Sequence, residues 1–415
     1  MYRTILEELK RWKNQENHSV LLLKGGIKVG KTWVLREFGR LCFSDVLYVD
    51  CLKTGYMSYI AGENMEPERI LRMLGMYHGK KIKAGETLLI FDEVQAIPGL
   101  LGALLRFTSN CPKYHVCCTG YMPEGELPDI AEGTEQKPEI LTLKPLNFRE
   151  FLHAAGRKQL TEHMSAGKLT PEEKTELSRQ MRIYALVGGM PEAVCTWLQT
   201  GSLAEVRGVQ ELILETCAET VAKHFPTLAI GRIKDASERI AEMLSKENKE
   251  WTGLKDEEVL AALMQSGFIY KVNRIEQGIW PPESYIEEDV YQLYFMDTGL
   301  LSSIYNITEM SDDRLYLVRN GAVALQLIWQ ELYANENITQ LYYWRAARET
   351  KVDFLFHDEK SMIPVCICMN EEERQNGLTQ FRKLYAPPAA VKISRMQTKQ
   401  EQDVLTIPIF GIWNL

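Results

Sequence analysis

Apolar residues recur at helical spacing at Ile5, Leu6, Leu9 and Trp12, which predicts that the chain opens with an amphipathic helix. The pattern then changes. Ser19-Val20-Leu21-Leu22-Leu23 is a short apolar run ending in glycines, as in a buried strand that feeds a turn. A helix follows from Lys31 to Arg40 with Val34, Leu35 and Phe38 inward, then a strand at Val46–Asp50. Pro67 suits a first helical position and opens a helix through Ile70, Leu71, Met73 and Leu74. Thr87–Phe91 reads as another buried strand, Pro98-Gly99 as the start of a helix carrying Leu104, Leu105 and Phe107, and Tyr114–Thr119 as a fourth strand. Strands alternating with helices imply an α/β fold on a parallel sheet.

Beyond that the pattern is less regular. Tyr121 to Lys137 is rich in Gly, Pro and acids and reads as a loop, and Glu139–Leu143 as a fifth strand. Asn147 to Ala222 is largely helical, followed by amphipathic helices at Ile230–Leu244 and Glu257–Gly267, a strand at Phe268–Arg274 and a loop at Trp280-Pro281-Pro282. From Asn320 onward the pattern predicts one helix, Ala322–Tyr333, and strands at Leu341–Arg345, Lys351–Phe356 and Ile363–Met369.

Composition adds limits rather than detail. The 415 residues suggest two or three domains, and 45% hydrophobic with 25% charged residues is ordinary for a globular chain. Net charge is −8, so a protein that coats nucleic acid is excluded and any DNA contact must come from a local patch. The nine cysteines form no C-x-x-C pair, so neither a zinc site nor a disulfide framework is expected, and the cytoplasm is the expected compartment. Neither a signal-peptide core near the N-terminus nor a transmembrane run is visible, so no membrane is expected as a partner.

Gly25-Gly26-Ile27-Lys28-Val29-Gly30-Lys31-Thr32 fits G-x-x-x-x-G-K-[ST] between a predicted strand and a predicted helix. Glycines let the backbone wrap so that its N–H groups face phosphate oxygens, and the following helix adds its positive end. Lys31 would reach the β- and γ-phosphates of ATP, the Thr32 hydroxyl would coordinate Mg²⁺, and Trp33 completes the set. Sixty residues beyond Thr32, the strand Leu88-Leu89-Ile90-Phe91 ends in Asp92 and Glu93, at the edge where open parallel sheets bind ligands. Asp92 would support the Mg²⁺, and Glu93 would act as general base on the attacking water. Thr119 ends the fourth strand, either touching the γ-phosphate or its water, or simply closing the strand.

These two motifs, with Val94-Gln95 after the second, resemble prokaryotic AAA-type ATPases that carry a C-terminal domain of unknown function. Three further blocks do so in order: Leu143-Lys144-Pro145-Leu146-Asn147-Phe148-Arg149-Glu150-Phe151-Leu152, Val187-Gly188-Gly189-Met190-Pro191-Glu192, and Leu293-Tyr294-Phe295-Met296-Asp297-Thr298-Gly299-Leu300-Leu301. The resemblance implies an AAA-type ATPase core over residues 1–145, a helical lid over 146–225, a winged-helix-like segment over 226–312 and a domain related to PD-(D/E)XK (restriction-endonuclease-like) nucleases over 313–415. It also implies that Pro191 lies near the nucleotide. Where that family usually has T/I-G-S, this chain has Thr119-Gly120-Tyr121.

The nuclease pattern needs carboxylates to clamp Mg²⁺ and a lysine to steady hydroxide. Set against it, Asp353 is retained, Leu325 stands where the helix acid belongs, and Cys366 and Cys368 replace the E-x-K pair. The two thiols read either as metal or redox ligands or as small side chains filling a strand face. A catalytically dead nuclease fold is expected. Tyr342-Tyr343-Trp344-Arg345, with Arg348 and Lys351, interleaves aromatic and basic residues, either as a nucleic-acid patch or as a strand with one packed face. Arg106 and Arg149 are candidates for an arginine finger or for ordinary surface pairs.

The expected protein is thus an ATP-hydrolysing switch whose C-terminal half recognises DNA or a protein. Two alternatives stay open: a DNA-binding regulator that holds ATP as a structural ligand, and an active ATP-dependent nuclease.

Overall fold

The computed structural model describes residues 1–53, 66–120, 137–252, 256–309, 318–347, 350–368, 375–395 and 398–415. The chain divides into two compact units, Tyr2–Lys144 and Pro145–Leu415.

In the first unit, helix α1 (Ile5–Lys13) precedes β1 (Leu21–Lys24), α2 (Lys31–Cys42), β2 (Asp45–Asp50), α3 (Pro67–His78), β3 (Thr87–Asp92), the short helices α4 (Leu100–Leu105) and α5 (Phe107–Asn110), β4 (His115–Thr119) and β5 (Glu139–Thr142). The single helix expected after Gly99 is two. Arg106 N–H donates to Ala103 O, a tightened turn that divides them. The five strands are all parallel, in the order β2-β3-β4-β1-β5.

Strand β3 is an unbroken apolar run because both of its faces are covered. Leu89 and Phe91 join Leu22, Leu47, Val116 and Leu104 in one core cluster. Leu88 faces the other way, toward α2, where Gly39 packs so closely that a Cβ would lie 2.4 Å from Val46 Cγ2. The residues 121–136, read as a loop, lie outside the described residues.

The second unit begins with five helices: α6 (Phe148–Ala154), α7 (Lys158–Ser165), α8 (Pro171–Val187), α9 (Pro191–Thr200) and α10 (Leu203–His224). Then come α11 (Ile230–Ser245), β6 (Trp251–Thr252), α12 (Glu257–Gln265), β7 (Ile269–Ile275), β8 (Ile286–Phe295), α13 (Thr298–Ile304) and α14 (Ala322–Ala334). The chain closes with β9 (Tyr342–Ala347), β10 (Thr350–Asp358), β11 (Ser361–Ile367), α15 (Gln375–Tyr385), β12 (Ala390–Ser394), β13 (Lys399–Glu401) and β14 (Val404–Pro408).

One mixed sheet of nine strands runs through this unit in the order β13-β14-β12-β11-β10-β9-β7-β8-β6. Its junction is the parallel pairing of β7 with β9, Asn273 opposite Tyr342 and Ile275 opposite Trp344. Helix α14 is enclosed by protein: Ala322 through Leu332 are buried, and Gln326, Gln330 and Glu331 are the polar residues among them.

Candidate phosphate-binding site

Strand order brings the site together. β4 lies between β1 and β3, with Leu23 opposite Thr119 and Phe91 opposite Cys118, so the C-terminal ends of all three strands share one edge. The loop after β1 carries the phosphate motif. Gly25 has φ of 150°, and a Cβ there would meet Leu143 O at 2.3 Å. Lys28 and Gly30 take left-handed backbone at φ of 64° and 97°. Left-handed residues in such a turn direct successive N–H groups inward, which makes an anion cradle. Gly26 and Val29 are buried, Ile27 and Thr32 are half-buried, and Lys28 and Trp33 are exposed.

Lys31 Nζ folds back and donates to Gly25 O and Gly26 O, each at 2.9 Å. Asp92, only 8% exposed, gathers three hydroxyls. Thr32 Oγ1 donates to its Oδ2 at 2.7 Å, Tyr48 OH to the same oxygen at 2.6 Å, and Thr119 Oγ1 to Oδ1. Glu93 follows in left-handed backbone, φ 58°, which turns the chain sharply off the strand. Its N–H donates to Thr119 Oγ1 at 3.2 Å, and its carboxylate accepts from Gln95 Nε2 at 2.7 Å.

Carboxylates crowd this edge of the sheet. Burial, and then Asp92, Asp50 and Glu93, push the Cys51 thiol up to about 12. Burial and Asp92 likewise raise the Tyr48 phenol. Thr32 and Asp92 present hard oxygen donors 2.7 Å apart, a fit for Mg²⁺.

Lys31, Thr32, Asp92, Glu93 and Thr119 thus lie at one edge of the sheet. Pro191 is in the other unit, at the first position of α9. Two contributors were not anticipated. Tyr48 on β2 hydrogen-bonds Asp92 while Arg36 stacks 3.9 Å over its ring, and Gln95 holds Glu93. For Tyr48 the only signal was alternation: it sits between buried Leu47 and Val49 and so points to the other face.

The three downstream blocks converge on one another. Asn147 and Glu150 form a reciprocal capping box at the start of α6. Gly189 N–H donates to Asp297 Oδ2 at 2.6 Å, and Leu146 N–H to Gly189 O at 2.7 Å. Asp297 also caps α13 by accepting from Leu300 N–H. Phe148 N–H donates to Glu331 Oε1 at 3.0 Å, and Gln330 Nε2 to Tyr184 OH at 2.8 Å. Burial drives the Asp297 carboxyl up to about 6 and Glu331 up to about 8.

In the C-terminal sheet, Asp353 is 5% exposed. Its Oδ2 accepts from Ile367 N–H at 2.9 Å, and Lys351 Nζ lies 3.2 Å from Oδ1. Leu325 is buried, and Cys366 is buried and Cys368 half-buried in one core cluster. Burial and then Asp353 raise the Cys366 thiol well above its ordinary range. Among the described residues no cluster of three or more His, Cys, Asp or Glu is placed to hold a metal. Tyr342, Tyr343 and Trp344 are buried, and Arg345 pairs with Glu250 at 2.8 Å. Arg348 lies outside the described residues. Arg149 stacks 4.7 Å over Trp413, and Arg106 is half-buried. No described helix is long and apolar enough to cross a membrane.

Residues 17–152 match the family model described as an AAA domain. Residues 178–311 and 320–410 match two models, DUF8612 and DUF4143, each described as a domain of unknown function. The chain therefore carries an AAA domain of the P-loop ATPase class, followed by two domains of unknown function. No curated protein matches it. Among solved structures it is similar to PCH-2 of C. elegans at 13% identity, over 45% of this chain and 58% of that one, with a TM-score of 0.26. It is also similar to Cdc6p of Pyrobaculum aerophilum at 10% identity, over 78% and 93% of the two chains, with a TM-score of 0.25. The chain thus spans little more than half the length of the first of these.

Proposed function

We propose that the protein is a nucleotide-driven switch that binds Mg²⁺-ATP on its AAA domain and hydrolyses it. The observation that carries this reading is the row of groups at one sheet edge: Lys31 on the phosphate loop, Thr32 hydrogen-bonded to Asp92, and Glu93 beside them. In it, the loop N–H groups and Lys31 bind the β- and γ-phosphates in place of the Gly25 and Gly26 carbonyls that Lys31 now contacts. Thr32 and Asp92 would hold Mg²⁺, which neutralises phosphate charge. Glu93 accepts the proton of the attacking water, and Thr119 fixes the backbone that aims it.

The C-terminal half is proposed as a helical lid, a winged-helix-like segment and a nuclease-like module that recognises rather than cuts. Support for the last part is chemical. Asp353 is already engaged by Lys351 and a backbone amide, and Leu325 and Cys366 offer no oxygen ligand. Pro191 enters the proposal as a nucleotide neighbour on the resemblance of its block alone.

Nucleotide binding and turnover of purified variants test the reading. Lys31→Ala should abolish ATP binding, and Glu93→Gln should keep binding but lose turnover by about a hundredfold or more. Full turnover in Glu93→Gln would refute the assignment of the base. Supercoiled DNA should stay intact with the wild type in Mg²⁺ or Mn²⁺, and cleavage that Asp353→Ala removes would refute the dead nuclease module.

A further inference from the structure

A recess of about 310 Å³ opens between α10, α11, α12 and α13, remote in sequence from the phosphate loop. Its floor is apolar: Cys217, Ala218, Ile233, Leu263 and Phe268 are all buried side chains. Its rim is charged, with Glu211 and Glu215 from α10 and Glu238 from α11, all exposed. Lys234 is the one cation among the lining residues, and it lies 3.6 Å from Glu215. The rim thus sets three carboxylates against one ammonium.

Further acids lie along both helices, although Glu242 is paired with Lys246 at 3.1 Å. Glu219 follows Glu215 by four residues and Glu242 follows Glu238 by four, so each helix carries its acids in a row on one side. A recess of this size lies at the small end of ligand pockets and suits one large apolar side chain. Carboxylates on both rims repel phosphate, which disfavours nucleic acid or an anionic lipid surface there.

We propose that this groove docks a basic amphipathic helix of a partner protein, with one apolar side chain in the recess and Lys or Arg residues against Glu211, Glu215 and Glu238. The chemistry is that of a helix laid in a groove, with affinity from the buried anchor and orientation from the charges. The proposal does not depend on the nucleotide reading, since no residue of the phosphate site takes part.

The test uses the full-length chain and a fluorescein-labelled amphipathic helix peptide of leucine and lysine, followed by anisotropy at low and high salt. A leucine–glutamate peptide and a short DNA duplex are the counter-probes. The leucine–lysine peptide should bind, and Glu211→Lys with Glu238→Lys should weaken it about tenfold. The pair Glu162→Lys with Glu172→Lys, the same charge change on exposed sites of α7 and α8, should leave binding within about twofold. Ala218→Trp, which fills the recess, should match the loss at the rim. Should that variant not fold, the two exposed charge pairs still decide. Equal loss in both charge pairs, no peptide binding, binding of the leucine–glutamate peptide, or competition by duplex DNA would each overturn the proposal.

Discussion

Asp92 accepts three hydroxyls, and the sequence pointed to two of them. Thr32 was fixed by its motif and Thr119 by its place at a strand end. Tyr48 was not visible, because only the neighbouring of β2 and β3 brings it to the carboxylate. Tyr48→Phe removes a hydrogen bond to a charged acceptor, so a stability loss of about 1.5–3 kcal/mol is expected in denaturant unfolding of the full chain. Gln95 is legible only in retrospect: two residues after Glu93, on the turn that the left-handed Glu93 makes, its amide meets that carboxylate. Gln95→Ala should lower turnover about tenfold while nucleotide affinity stays within about twofold, as expected for a residue that aims the base without touching phosphate. A fall in affinity as large as the fall in turnover would place Gln95 in binding instead.

At the scale of elements, the blocks that resembled an ATPase family beyond its motifs are packing and capping devices. The Asn147–Glu150 pair is a capping box, and Asp297 caps one helix while clasping the turn before another. Gly188 lies at φ 75°, and a Cβ there would meet Asp297 Oδ1 at 2.1 Å. Gly188→Ala should therefore destabilise the unit by ~3 kcal/mol or more, read as a fall in the denaturant midpoint. The same network titrates. Folding raises the Glu331 carboxyl from the usual range near 4.3 to about 8, so the folded state holds this proton more tightly than the unfolded chain. Its contribution is fully present below about pH 4.3 and is lost as pH rises through about 8. Asp297, raised to about 6, adds a loss in the same direction at lower pH. Glu331→Gln, which keeps the acceptor for Phe148 N–H, should flatten the decline in thermal midpoint between about pH 6 and pH 8. An undiminished decline would assign it elsewhere. Periodicity found most helices of this region but missed β8. Residues 286–291 of that strand are exposed or half-buried, and its pairing with β7 supplies what its composition does not.

At the scale of the whole molecule, the alternation of strands and helices over the first 120 residues made the AAA domain readable, helped by the buried apolar runs of β1, β3 and β4. The nine-stranded sheet was not readable, because its central pairing joins Asn273–Ile275 to Tyr342–Trp344 across some seventy residues of chain. That pairing has a practical result. A chain ended at residue 312 would leave β7 as an open edge carrying apolar Val272 and Ile275, so this fragment should aggregate where the 415-residue chain does not, as light scattering would show. The buried guanidinium of Arg3 bears on the molecule as a whole in another way. It donates to Val29 O in the phosphate loop at 3.3 Å and to Lys144 O, the last residue of the AAA unit, while Gly25 packs against Leu143 O. The loop and the departing chain are therefore fastened to one rivet. A change at Arg3 thus reaches the phosphate loop and the exit of the AAA unit at once.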